Sequence, residues 1–455
     1  MADAAYSRRQ TLRTAGLGAA GLVMASALRR GALAAGSQDP MPGAAAVAGR
    51  LEAWDWSDAP YVPGEEAQAD FYTKYFPSLY KNLKFSSTIL GYTDMLPKLT
   101  VAWRASNRPD VARVAIAWSP QFVGADQCAE ITEQELGIPF DQFLPGALLS
   151  VRRDGAGTGP LYGLPTNNEV MFLLYNKAIF SSAGLDPEKP PATWEDLAAY
   201  SKTIHDKTGN YGYGLCAAQN NGNTPFRFMP AAWAYGGQIF DELSPHPTWR
   251  TIGLGDQGTV AALALYNRMF NIDKSVQPSA LSDNESNVET LFLDGKVAMC
   301  IDHPSFAQQV RQLKPDLPVG GAMVPSGPVR RAVVLGGSNI HIRATSTNKA
   351  AALALIRAYL SPYWNARLGT GAGSEASTAA ARRSHEQGLL SKEIPFNDIV
   401  FKMLPYGVNV PLVAEGAQIW NAIVPQMIQE VLSGRSTPKD AASAAAGQVR
   451  ELMAG

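Results

Sequence analysis

Cysteine is scarce: Cys128, Cys216 and Cys300 stand far apart in a chain of 455 residues, and none forms a Cys-x-x-Cys pair. One disulfide at most is available, buried thiols are the other reading, and a disulfide framework does not fit. Histidine is equally sparse. The five, at positions 205, 246, 303, 341 and 385, never fall at His-x-His or His-Glu-x-x-His spacing, so no zinc site is expected. No serine sits in a Gly-x-Ser-x-Gly elbow. The glycine-rich run Gly369–Ser374 follows helix-like residues and lacks the Lys-Ser/Thr of a phosphate loop, so it reads as a plain loop. Nothing here implies a cofactor. Charge is low as well, at 17% of residues, with 39 basic and 40 acidic side chains and no basic cluster to hold nucleic acid. No window of 18 uninterrupted apolar residues occurs, which excludes an obvious membrane span.

What is present begins with Ser7–Arg13, reading SRRQTLR. An Ala/Gly/Leu-rich stretch follows from Thr14 to Leu28, and Ala32-Leu33-Ala34 supplies small residues for cleavage. Residues 1–35 thus resemble a twin-arginine export signal, with Thr11 where such signals usually carry Phe. A short amphipathic helix carrying Arg8 and Arg9 is the alternative. The apolar core is too short for a permanent anchor, and no cysteine near the cleavage site offers a lipid attachment point. Removing this segment leaves 34 basic and 39 acidic side chains, a formal charge of −5. The roughly 420 residues that remain exceed what one hydrophobic core serves, so two lobes are expected.

Along that chain, Leu51–Trp56 alternates like a first strand, Phe71–Leu79 is helix-like, and Leu83–Ile89 reads as a second strand before a helix over Tyr92–Ala102. Val111–Ala117 is a short apolar strand ending beside Trp118. Val170–Tyr175 is a near-continuous apolar run, as in a strand buried on both faces. Thr193 with Asp196 makes a capping-box pattern at the start of a helix. Val297–Ile301, Val319–Val324 and Leu335–Ile342 read as further strands, the second returning to the first lobe. Strand, loop and helix in this order argue for an α/β architecture.

The stretch Tyr162–Leu197 then gains weight. Gly163-Leu164-Pro165, Asn167-Asn168-Glu169, the apolar run and Tyr175-Asn176-Lys177 resemble the signature region of the carbohydrate-type extracellular solute-binding proteins of ABC importers, the maltose-binding-protein group. Asn107–Asp110 ahead of its strand, and Gly295-Lys296 before Val297–Ile301, fit the same family, and the resemblance spans about residues 51–453. It implies the two-lobe (type II) periplasmic-binding-protein α/β fold, with residues 46–168 and 320–370 in the first lobe and 169–319 and 371–455 in the second. It implies a periplasmic, monomeric protein that captures a small solute, closes about a hinge and delivers the solute to a membrane permease, and that is not an enzyme.

A sugar offers flat C–H faces and a rim of hydroxyls, so rings and polar groups at strand ends are its expected partners. Trp118, placed after its strand, is the first candidate ring, and Trp56 at the end of the first strand is the second. Glu169 matches an acidic ligand-binding position in maltose-type relatives, with Asn168 beside it; a structural ion pair is the other reading. Trp233 and Tyr235 precede Gly236-Gly237 in a region that faces the cleft in relatives, although rings at helical spacing also build cores. Asp302 and His303 follow their strand in place of a family Trp, which weakens a maltose-like ligand. Gly337, Ser338 and Asn339 form a segment where main chain can approach a ligand, or a plain bulge. Trp420 matches a family stacking position to within one residue. Asp94, at a helix start, reaches either toward the cleft or toward the helix dipole. Glu169, Asp302 and Glu375 are carboxylates an exported glycoside hydrolase would need, but no hydrolase motif surrounds them. A binding protein for a polyol, polyamine or organic acid shares the same fold.

Overall fold

Alternation in the first strand sets the larger sheet. In β1 (Gly49–Ser57) the side chains of Leu51, Ala53 and Asp55 are buried while their neighbours are partly exposed. The computed structural model describes residues 47–454 except 58–61, 158, 245–246, 372–374 and 384–394. The export-signal reading, the loop at 372–374 and His385 therefore lie outside the described residues, as does the side chain of Glu375.

β1 lies parallel to β2 (Leu83–Gly91) and to β3 (Val111–Ala115). β4 (Leu164–Glu169) belongs to the same sheet, and β5 (Phe172–Asn176) to another. The second sheet runs β6 (Tyr211–Tyr213), β7 (Val297–Asp302), β5, β8 (Val319–Ala322). β9 (Val333–Val334) pairs separately with β12 (Gly407–Val408), and β10 (Gly336–Ile342) and β11 (Glu375–Ala376) complete the six-stranded order β11-β4-β10-β3-β1-β2. Every residue of β5 and β7 is buried, which explains why both run apolar until their last residues, Asn176 and Asp302.

Three details depart from the sequence reading. Leu164–Glu169 is a strand in its own right, so the crossing between sheets is confined to Val170-Met171. β8 does not return to the larger sheet; it pairs with β5, because Gly320 lets Tyr175 lie over its backbone, where an added Cβ would sit 2.2 Å from the ring. β11 pairs with β4, which places part of the 371–455 segment on the larger sheet. The expected cap is present: Asp196 N donates to Thr193 Oγ1 at 3.1 Å and Thr193 N donates to Asp196 Oδ2 at 3.0 Å, starting the helix Trp194–Thr208. The three cysteines are buried and unpaired. No helix among the described residues is long and apolar enough to cross a membrane.

Candidate functional site

Strand β3 stops at Ala115, a short turn carries Ile116–Trp118, and a helix begins at Ser119. That break delivers Trp118 to the mouth of a cleft of about 770 Å³ between the ends of the two sheets. β1 ends beside it, so Trp56 and Trp118 lie with ring centroids 6.3 Å apart and planes tilted by 50°. The guanidinium of Arg113 covers one side of Trp56 at 4.8 Å and is itself bonded to buried Asp55 at 2.6 Å. Across the cleft, Phe226 and Trp420 meet edge to face at 5.5 Å, and Trp420 Nε1 donates to Gly222 O at 3.0 Å. Aromatic walls therefore stand on both sides.

The floor is β4 and β10. Alternation along β4 turns Asn167 and Glu169 toward the cleft. Gly337 has φ +124°, and a Cβ there would meet the carbonyl oxygen of Asn167 at 2.3 Å, so only glycine lets these strands approach. The register shifts between Ser338 and Asn339, the bulge allowed by the sequence. Ser338 is 1% exposed, lines the cleft, and its Oγ has no partner among the described residues. A buried hydroxyl left unmatched is costly, which sets Ser338 apart among the polar groups of the floor.

The far wall carries a charge network. Glu169 Oε1 lies 2.8 Å from His303 Nδ1, and His303 Nε2 lies 3.4 Å from Glu285 Oε1. Arg227, 2% exposed, donates through one nitrogen to Glu285 Oε1 and Asp302 Oδ1, both at 2.8 Å. Burial alone would lower the imidazole pKa, but Glu169, Glu285 and Asp302 outweigh it and raise His303 to about 10. Glu285, Asp302 and His303 are the only three potential metal ligands gathered among the described residues. Arg227 already supplies their countercharge.

Residues 62–366 match the family of bacterial extracellular solute-binding proteins. The chain belongs to that family. A binding protein of Brucella abortus is 29% identical over 256 residues, 56% of this chain and 59% of that protein. The chain thus spans somewhat over half the length of this curated relative. The sn-glycerol-3-phosphate-binding periplasmic protein of Escherichia coli is 33% identical over 127 residues, 27% of this chain and 28% of its own. Among solved structures, a solute-binding protein of Thermotoga lettingae bound with alpha-D-tagatose is 25% identical with a TM-score of 0.72, covering 88% of this chain and 99% of that one. The GacH receptor of Streptomyces glaucescens, solved with acarbose, is 20% identical with a TM-score of 0.73 and covers 89% and 98%. These place the chain in the two-lobe periplasmic-binding-protein fold.

Within this solute-binding fold, Trp56, Trp118, Glu169, His303, Gly337, Ser338 and Trp420 line the cleft. The other candidates lie elsewhere. Trp233 is fully buried in the core of the smaller-sheet lobe, donating to Glu242 Oε1 at 2.9 Å. The Tyr235 hydroxyl donates to Glu195 at the surface. Asn168 faces away, because strand alternation gives the cleft its two neighbours; its amide has no partner among the described residues. Asn339 is buried on the opposite side from Ser338, donating to Ser119 Oγ at 2.7 Å and Ser150 Oγ at 2.9 Å. Asp302 is wholly buried behind His303, held by Arg227. Asp94 points to solvent and pairs with Lys98, although Leu96 and Pro97 of its helix reach the wall.

Sequence reasoning missed Phe226, Glu285, Glu289, Asn421 and the run Asn220–Asn223. The run QNNGN was a readable turn signal ahead of a helix. Glu285 and Glu289, on a helix capped by Asn284, gave no signal beyond two acids four residues apart.

Proposed function

We propose that this protein is the periplasmic substrate-binding component of an ABC importer and that its ligand is a sugar or sugar-like solute. The observation that carries this reading is the cleft itself, with rings on both walls and the unmatched Ser338 hydroxyl on its floor. Binding begins on one lobe, and contacts from Glu285, His303 and Trp420 on the other favour closure. The hinge runs through the crossings, first at Val170-Met171, then between β8 and β10, and again after β11. The closed form, as a monomer, is what the permease recognises. Delivery to the periplasm uses the twin-arginine signal in residues 1–35.

A phosphate ester, the ligand named for the Escherichia coli relative, fits less well. Among the described residues, the guanidiniums of Arg113 and Arg227 near the cleft are taken, Arg113 by Asp55 and Arg227 by Asp302 and Glu285, so neither is left for a dianion. Hydrolysis is disfavoured too. Asp302 is sealed behind Arg227 and Glu169 is held by His303, so these two are not an acid and base facing one bond. The test is a thermal-shift screen of the exported protein against sugars, polyols, amino acids, polyamines and glycerol phosphates. A shift confined to saccharides, with the sugar recovered unchanged, is the expected result. A shift confined to phosphates or amino acids, or release of chromophore from aryl glycosides, would overturn the reading.

A further inference from the structure

The cleft holds more carboxylate than it needs for its own cations. Glu169 is matched by His303, and Glu285 by Arg227 and His303. Glu289 also lines the cleft, one helical turn beyond Glu285, yet no hydrogen bond or ion pair engages it among the described residues. When both are ionised, two acids at this spacing repel one another, which favours either a proton or a cation on Glu289. Arg113 adds no surplus positive charge, because Asp55 neutralises it. Glu289 feels two other carboxyl groups, Asp302 and Glu285, and two cations, Arg227 and His303, and His303 is already paired with a third carboxylate, Glu169.

Resting on the sugar-binding reading, we propose that the solute is a sugar bearing a protonated amine, with its ammonium group seated against Glu289 beside Glu285. Two further observations give the rest of the ligand. The unmatched, buried Ser338 hydroxyl calls for a hydrogen-bonding group on the solute. Asn167, Asn221, Asn223 and Asn421 line the same space, and their amides pair with hydroxyls on adjacent carbons, which a polyamine lacks. The rings of Trp56 and Phe226 are suited both to C–H faces and to a cation. The volume suits a short oligosaccharide as readily as a single ring.

Burial, together with the charges of Asp302 and Glu285, raises Glu289 to about 8, with Arg227 and His303 opposing. At pH 6.5 the carboxyl therefore holds its proton, and a cationic ligand expels it, whereas a neutral sugar leaves it in place.

The experiment is calorimetric titration of the exported protein at pH 6.5 with glucosamine oligosaccharides of one to four units, each in free-amine and N-acetylated form, in buffers of different ionisation heat. Spermidine is the third arm. We expect the free-amine series to bind at least tenfold more tightly than its N-acetylated counterpart, with about one proton released. Glu289→Gln should remove both the preference and the release, and Glu289→Asp should keep part of each. Equal or tighter binding of the N-acetylated series overturns the inference while leaving a sugar receptor, as does a preference that survives Glu289→Gln. Tighter binding of spermidine than of any saccharide overturns the sugar body and keeps the cation. No binding by any of these, in a protein whose melting temperature responds to another solute class, overturns the sugar reading beneath it.

Discussion

Replacing Arg227 with Met removes the cation from the centre of the cleft network while keeping an unbranched side chain of similar girth. Asp302 then stands wholly buried, and among the described residues the backbone N–H of His303, at 2.8 Å, is what remains to satisfy Oδ1. Leaving a buried charge without its partner costs about 3–5 kcal/mol. Protonation limits that cost. Neutralising a carboxyl whose unfolded-state pKa is about 3.9 requires roughly 4 kcal/mol at pH 7 and about 1.5 kcal/mol at pH 5, at about 1.4 kcal/mol per unit. In the variant the folded state keeps a proton that the unfolded state releases, so its stability falls as pH rises across this window. We expect Arg227→Met to lose about 4 kcal/mol at pH 7 and under half of that at pH 5, measured by urea unfolding against the unmodified protein. Arg227→Met combined with Asp302→Leu should recover most of the pH 7 loss, since a well-packed apolar replacement of a buried pair is often neutral. Equal losses at both pH values, or a loss below about 1 kcal/mol at pH 7, would refute the idea that Arg227 compensates a buried charge on Asp302.

Three further expectations follow from the cleft. Trp56→Ala, which trims a partly exposed wall ring rather than the buried Trp118, should weaken saccharide binding at least tenfold, about 1.4 kcal/mol, with unfolding little changed; unaltered calorimetric affinity removes Trp56 from the site. His303, raised to about 10, contributes stability that is complete below about pH 6.5 and fades as pH climbs toward 10. Glu169→Gln should bring its titration down, which the imidazole proton shift in NMR reports; an unmoved midpoint means Glu169 is not its partner. Gly337→Ala forces a Cβ against the Asn167 carbonyl in a backbone region that disfavours side chains, and should cost roughly 1–3 kcal/mol as well as affinity; wild-type values of both would show that β4 and β10 can separate freely.

Local pattern carried the fold class and most of its elements, but not the sheet to which β8 and β11 belong. Its strands and helices announce themselves through period, caps and breakers: β5 and β7 are apolar up to Asn176 and Asp302 at their ends, as strands buried on both faces are, and Thr193 with Asp196 marks a helix start through the spacing of two side chains. It also showed which strand ends carry rings, since Trp56 and Trp118 sit where local pattern stops, and it put Glu169 next to a buried run without revealing that it ends a strand of the other sheet. Tertiary structure alone decided which of these polar groups face ligand space. Asp302 and His303 are adjacent, yet one is buried under Arg227 and the other lines the cleft, a distinction set by a guanidinium 75 residues away in the chain. Trp233, which its spacing allows in either wall or core, is core, because its helix turns that face to Glu242 and the buried cluster. Glu289 gave no signal beyond its spacing from Glu285. Its significance arises only when folding surrounds it with Asp302, Glu285, His303 and Arg227, because charge balance is a property of neighbours in space, and local sequence does not encode it.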